Sequence, residues 1–308
     1  MTAAEHQFIL SVLLWVLVSI PVALLVFRVW FRDRPVRPVI PHEDAAPAGS
    51  FLDVALPPAL PLPEETGLPV RQWKRIDGLV ALALVVLLTV LMGPLATDPE
   101  ASSGFEISAE RMLVQLTFQM GMAGLLIFYL QAARGFDWTQ LFGLRRHPWY
   151  KVAGYSIAWI IPGVFLVGII NYLTMPWLLE FLGQEMASPQ LIVDALGKST
   201  DNATKVVVFL SVGLGAPIME ELIFRGFLYP VGKRFMHWSY AAPASALFFA
   251  AVHGNAMSLI PLTVLGLIFT AAYERSKNLM VPIAMHAIFN LFQVSILFYA
   301  PHLAQPAG

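Results

Sequence analysis

Residues 205–231 read KVVVFLSVGLGAPIMEELIFRGFLYPV. The stretch is apolar and long enough to cross a bilayer, yet its second half carries Glu220, Glu221 and Arg225. An ionised group at mid-membrane costs about 2.5–3.5 kcal/mol on insertion scales, so such residues face a protein interior and carry function. Downstream, His253, His286 and Asn290 each stand inside an apolar run of their own. The charged stretch therefore has polar counterparts on other segments.

Composition agrees with a membrane setting. Of 308 residues, 57% are hydrophobic and 13% are charged, and mean hydropathy is +0.69. Soluble domains carry roughly 25% charged residues. A net charge of −1 argues against a nucleic-acid partner. There is no cysteine, which excludes disulfides, thiolate nucleophiles and thiolate metal ligands. Catalysis is left to His, Glu, Asp, Asn, Ser or Lys.

Working outward, the expected architecture is an all-α polytopic transmembrane bundle of about eight spans, with the active site among the C-terminal helices. The spans fall over 8–27, 76–96, 112–133, 150–173, 205–228, 240–255, 259–273 and 279–299. The first is read as a retained helix: its apolar run exceeds a signal-peptide core, no Lys or Arg precedes it, and no small-residue cleavage site follows. Three units result. These are an N-terminal transmembrane helix (1–30), a proline-rich cytoplasmic linker (31–75) and a multi-span domain (76–308). Proline from Pro35 to Pro69 removes backbone donors and fixes φ, so the linker is expected to be extended. Lys and Arg concentrate in alternate loops, as at Arg28–Arg37, Arg145, Arg146, Lys233, Arg234, Arg275 and Lys277. The positive-inside rule puts those loops in the cytoplasm and both termini outside. Glu220, Glu221, His286 and Asn290 then share a depth toward the cytoplasmic half, whereas His253 is expected deeper.

Helical spacing groups these residues further. Glu221 and Arg225 are i,i+4 neighbours, and so are His286 and Asn290, while Glu220 points about 100° away from Glu221. Arg225 is expected either to pair with Glu221 or to reach lipid phosphates. Carboxylates, imidazoles and amide donors are the mixture a water-activating site uses. Neither a Gly-x-Ser-x-Gly elbow nor a His-Glu-x-x-His zinc motif occurs. The chemistry favoured is attack of activated water on an amide, driven by a carboxylate or assisted by a metal.

Glu220-Glu221…Arg225, Phe249…His253 and His286…Asn290, in this order, resemble the motifs of the CAAX-protease and bacteriocin-processing (CPBP, or Abi) family of intramembrane proteases. Gly266-Leu267-Ile268, Tyr273-Glu274-Arg275 and Val281-Pro282-Ile283 add to the likeness, which runs from about 205 to 292. The resemblance implies that Glu220 activates water with His253, and that Glu221 supports that pair and Arg225. It further implies that His286 and Asn290 donate to the oxyanion. In a metal-dependent version the histidines would be ligands of a divalent ion such as zinc; dependence on a metal and independence of one both stay open. The implied partners are the lipid bilayer and a membrane-embedded or lipidated peptide or protein, in a multi-pass protein of the cell membrane. The alternatives are a non-catalytic scaffold or immunity protein of the same fold and a proton-coupled transporter.

Overall fold

The computed structural model describes residues 68, 70, 72–97, 108–182, 201–254 and 256–299. The expected helix over 8–27 and nearly all of the linker lie outside these residues. The described chain is helical, with no strand: α1 is Arg75–Thr97, α2 Ala109–Ala133, α3 Trp138–Leu141 and α4 Trp149–Leu182. Then follow α5 (Asn202–Phe235), α6 (Trp238–Ala251), α7 (Leu259–Ser276) and α8 (Met280–Tyr299).

Local chemistry sets the boundaries. Ser108 Oγ accepts from the Arg111 N–H ahead of α2. Asp201 caps α5 by accepting from the backbone of Ala203 and Thr204, and these bonds hold its carboxyl below the usual range. α7 stops where Lys277 turns left-handed at φ 51°. Gly143, also at positive φ, sits so close to that turn that a Cβ would collide with the Lys277 carbonyl. The amide of Leu279 donates to Phe142 O at 3.0 Å, tying the same loop to the start of α8.

Among the described residues, α2, α4, α5, α7 with its leading 3-10 turn, and α8 are long and apolar enough to cross a membrane. The chain is an integral membrane protein. α4 spans 34 residues, with Pro162 and Pro176 inside it. The expected span over 240–255 turns out differently. α6 has 14 residues and reaches only about 21 Å, short of a hydrocarbon core of about 30 Å. His253 therefore lies in a turn just past the end of a short helix, and its depth does not follow from counting a full crossing.

α7 is central, packed against α6 on one side and α4 on the other. α8 rests on α4 and on the upstream half of α5, and α2 runs along that same half. The main core joins Phe142, Phe224, Phe227, Tyr229, Phe248, Phe249 and Leu279. A second cluster links Ile160, Leu265, Phe269, Val281 and Met285. Large apolar side chains on α2 and α4, such as Phe128, Phe165 and Tyr172, point outward. In water such a surface would be a liability; against lipid tails it is the expected outer face.

Two polar clusters stitch the end bearing the α1 start and the α7 terminus. Buried Asp77 accepts from Arg134 at 2.6 and 3.0 Å and from the Tyr129 hydroxyl at 2.8 Å. Glu274 accepts from the Tyr229 hydroxyl, from Lys233 and from the backbone N–H of Leu68. Trp73 is buried in the main core, edge-on to Phe136 and Phe227 at 5.6 Å.

Candidate active site

α5 is not a uniform helix. It winds as a π-helix over Ser211–Gly215, returns to α over Ala216–Glu221, and is π again over Leu222–Leu228. The two glutamates occupy the end of the short α segment between the π turns. π segments inside helices recur at functional sites, since they re-aim side chains and free backbone groups.

Glu221 and Arg225 are fully buried. Glu221 Oε1 accepts from Arg225 Nη1 at 2.8 Å and from His286 Nδ1 at 2.9 Å. Arg225 Nη2 donates onward to the Gly266 carbonyl at 3.1 Å. The guanidinium lies 4.4 Å from the Phe249 ring centre and 5.3 Å from that of Phe269. Such a cation, paired and flanked by aromatic faces, is held in the interior. Of the two expected environments for Arg225, pairing with Glu221 is the one found, and the lipid-phosphate contact is not. Gly266 is glycine for a reason of space: a Cβ would stand 3.0 Å from Ala246 Cβ and 3.2 Å from Arg225 Nη2.

Glu220 faces elsewhere, as its angular offset requires. Its Oε2 lies 3.9 Å from His253 Nε2 and 3.8 Å from His286 Nε2, beyond direct hydrogen-bond reach. That oxygen is buried and has no hydrogen-bond partner. The two imidazoles are fixed from behind. His253 Nδ1 donates to the Phe249 carbonyl at 2.7 Å, so in the neutral ring Nε2 keeps its lone pair toward Glu220. Phe249 also packs edge-on against both rings, at 4.9 Å from His253 and 5.8 Å from His286. His253 is about a third exposed, with 33% side-chain accessibility, so the cluster has an open side.

Asn290 stands one turn beyond His286 on α8, and its Nδ2 donates to the Val212 carbonyl at 2.9 Å. The fold thus brings Glu220, Glu221, Arg225, His253 and His286 into one cluster and ties Asn290 to the π turn of α5. The Gly266 and Val212 carbonyls and the Phe269 ring belong to this arrangement as well. A backbone carbonyl carries no side-chain signature, so the only sequence signals were a glycine and a proline inside apolar spans.

Among the described residues no group of three His, Asp or Glu side chains is placed to hold a metal ion.

Residues 202–292 match the family model described as type II CAAX prenyl endopeptidase Rce1-like. All six candidate residues fall inside that match. The protein YdiL of Bacillus subtilis is 30% identical over 148 residues, covering 46% of this chain and 56% of YdiL. "Membrane-embedded CAAX protease MroQ" of Staphylococcus aureus is 30% identical over 161 residues, covering 50% of this chain and 63% of MroQ. The chain therefore spans less than two thirds of the length of these relatives. No solved structure matches it significantly. With its motifs in order on α5 through α8, the chain is similar to the Rce1-like family model over residues 202–292 and to these membrane-peptidase relatives.

Proposed function

We propose that the chain is an intramembrane endopeptidase that hydrolyses a peptide bond by glutamate-activated water, with the site open toward the cytoplasm of the cell membrane. The single observation carrying this reading is the buried, unpartnered Glu220 Oε2 facing two imidazole Nε2 atoms at 3.8 and 3.9 Å. A water admitted between these atoms would bridge them at ordinary hydrogen-bond distances of about 2.8 Å. Glu221 and Arg225 are each paired with protein through Oε1 and the Nη atoms, although Glu221 Oε2 and Arg225 Nε also lack partners.

In the reaction, Glu220 takes a proton from that water while His253 Nε2 accepts its second hydrogen bond and orients it. The oxygen adds to the scissile carbonyl carbon, giving a tetrahedral oxyanion. His286 donates Nδ1–H to Glu221, so donation from Nε2 to the oxyanion uses the doubly protonated ring, whose charge Glu221 balances. Asn290, which keeps a second amide N–H, is the other donor. Collapse breaks the C–N bond, and the proton held by Glu220 passes to the departing amine. Arg225 acts through Glu221 and is a positioning residue.

The substrate class is a membrane-associated peptide or protein, with a lipidated C-terminal segment as its narrower form. The name of the Staphylococcus relative, a CAAX protease, supports that narrower form. The bilayer delivers such a substrate laterally, while water enters past His253. A non-catalytic scaffold is the second reading, favoured by the hydrogen bonds that commit Glu221, Arg225 and Asn290 to other helices.

The test compares new protein termini in membranes carrying the wild type or Glu220→Gln. The variant keeps size and removes the base, so a set of cleavages is expected to vanish while the protein still inserts. Identical profiles from two folded proteins would put the scaffold reading first.

A further inference from the structure

The π turn just upstream of the glutamates leaves one backbone carbonyl without an in-helix donor. The Ala216 N–H donates to Ser211 O rather than to Val212 O. The next donor Val212 O could meet along the helix belongs to residue 217, which is proline and has no N–H. A carbonyl orphaned inside a membrane helix has to be satisfied by another part of the protein. Here that partner is Asn290, whose Nδ2 donates to it across 78 residues of sequence.

The surrounding packing is shaped for this contact. A Cβ on Gly213 would collide with Leu291, the neighbour of Asn290, and one on Gly215 would collide with Gln119. Gln119 is itself buried and accepts from Ser211 Oγ at 3.2 Å on the same turn. Small residues on α5 thus let α8 and α2 close on the π turn from two sides.

We propose that Pro217 is a positioning residue: by withholding an N–H from Val212 O it keeps that carbonyl free to hold the Asn290 amide in a fixed orientation. One amide hydrogen is spent on Val212, and the other is left aimed for the developing oxyanion. The catalytic half of this inference rests on the proteolytic reading above. The link between Pro217 and Asn290 does not.

The experiment is a double-mutant cycle of the full chain with Pro217→Ala, Asn290→Ala and the double variant, read by cleavage kinetics and by thermal unfolding in detergent. Pro217→Ala should lower kcat between about tenfold and 100-fold with KM little changed. It should not lower Tm, because alanine is the better helix former. The double variant should be no slower than Asn290→Ala alone. Independently of catalysis, Asn290→Ala should lower Tm by a few degrees in the wild-type background. In the Pro217→Ala background the drop should be clearly smaller, since residue 217 then supplies its own N–H to Val212 O. Equal drops in both backgrounds, or kcat losses that multiply, overturn the proposal. If the wild type cleaves nothing, the proteolytic reading fails along with the catalytic half, and the Tm cycle decides the Pro217–Asn290 link. Pro217→Ser and Asn290→Leu repeat the cycle should either alanine variant not accumulate.

Discussion

Arg225 donates in two directions at once, to Glu221 on its own helix and to the Gly266 carbonyl on α7. Removing it leaves Glu221 buried with only His286 as a donor, so Arg225→Ala should destabilise the fold by about 3–5 kcal/mol. Arg225→Lys should rescue only part of this, because one ammonium cannot reproduce the planar fork that serves both acceptors. Thermal unfolding in detergent reads both, and a Lys variant as stable as wild type would contradict the two-acceptor account. Much of this was legible at the residue level. The i,i+4 spacing put Glu221 and Arg225 within pairing reach, and the angular offset foretold that Glu220 would look elsewhere. What spacing could not foretell was the choice between lipid phosphate and interior for Arg225. That choice depends on Phe249, Phe269 and Gly266, which arrive from other helices.

At the scale of elements, α6 and α7 approach each other at Ala246 and Gly266, where a Cβ would meet Ala246 at 3.0–3.1 Å. Gly266→Val should push the helices apart and loosen the Arg225 anchor, costing about 1–3 kcal/mol. Its measure is the shift in Tm, together with loss of any Glu220-dependent cleavage; an unshifted Tm would mean that this contact is not tight in solution. Segment existence followed from hydropathy for the five long apolar helices among the described residues, because apolar length is a one-dimensional property of the chain. Segment form did not. The first π turn of α5 lies just ahead of Pro217, where Leu291 and Gln119 pack against Gly213 and Gly215. α6 ends at Ala251, short of a full crossing, and this explains why His253 reaches Glu220 although a count of crossings put it deeper.

Across the whole molecule, the described residues just ahead of α1 and the first turn of α1 are anchored to the bundle. Leu68 N–H reaches Glu274, Trp73 fills the main core, and Asp77 is clamped by Arg134 and Tyr129. Trp73→Ala should therefore cost about 3–5 kcal/mol, although it lies outside the six candidate residues. Unfolding in detergent checks this, and a stability equal to wild type would show that the anchor is dispensable. Trp73 sits within a stretch that composition assigns to the linker. Its burial comes from Phe136 and Phe227, which are distant in sequence and invisible to a local reading.

The sequence by itself determined that this is a helical membrane protein, and it marked six polar side chains that stand in apolar stretches of the chain. Hydropathy, charge and i,i+4 spacing are local properties, so they can be read along the chain. The tertiary structure decided which oxygen each imidazole faces, that Arg225 is enclosed, and that Asn290 holds the Val212 carbonyl. Helices that are apolar all round carry no stripe to mark their inner face, and partner choice between them is settled by packing and by backbone groups left unpaired.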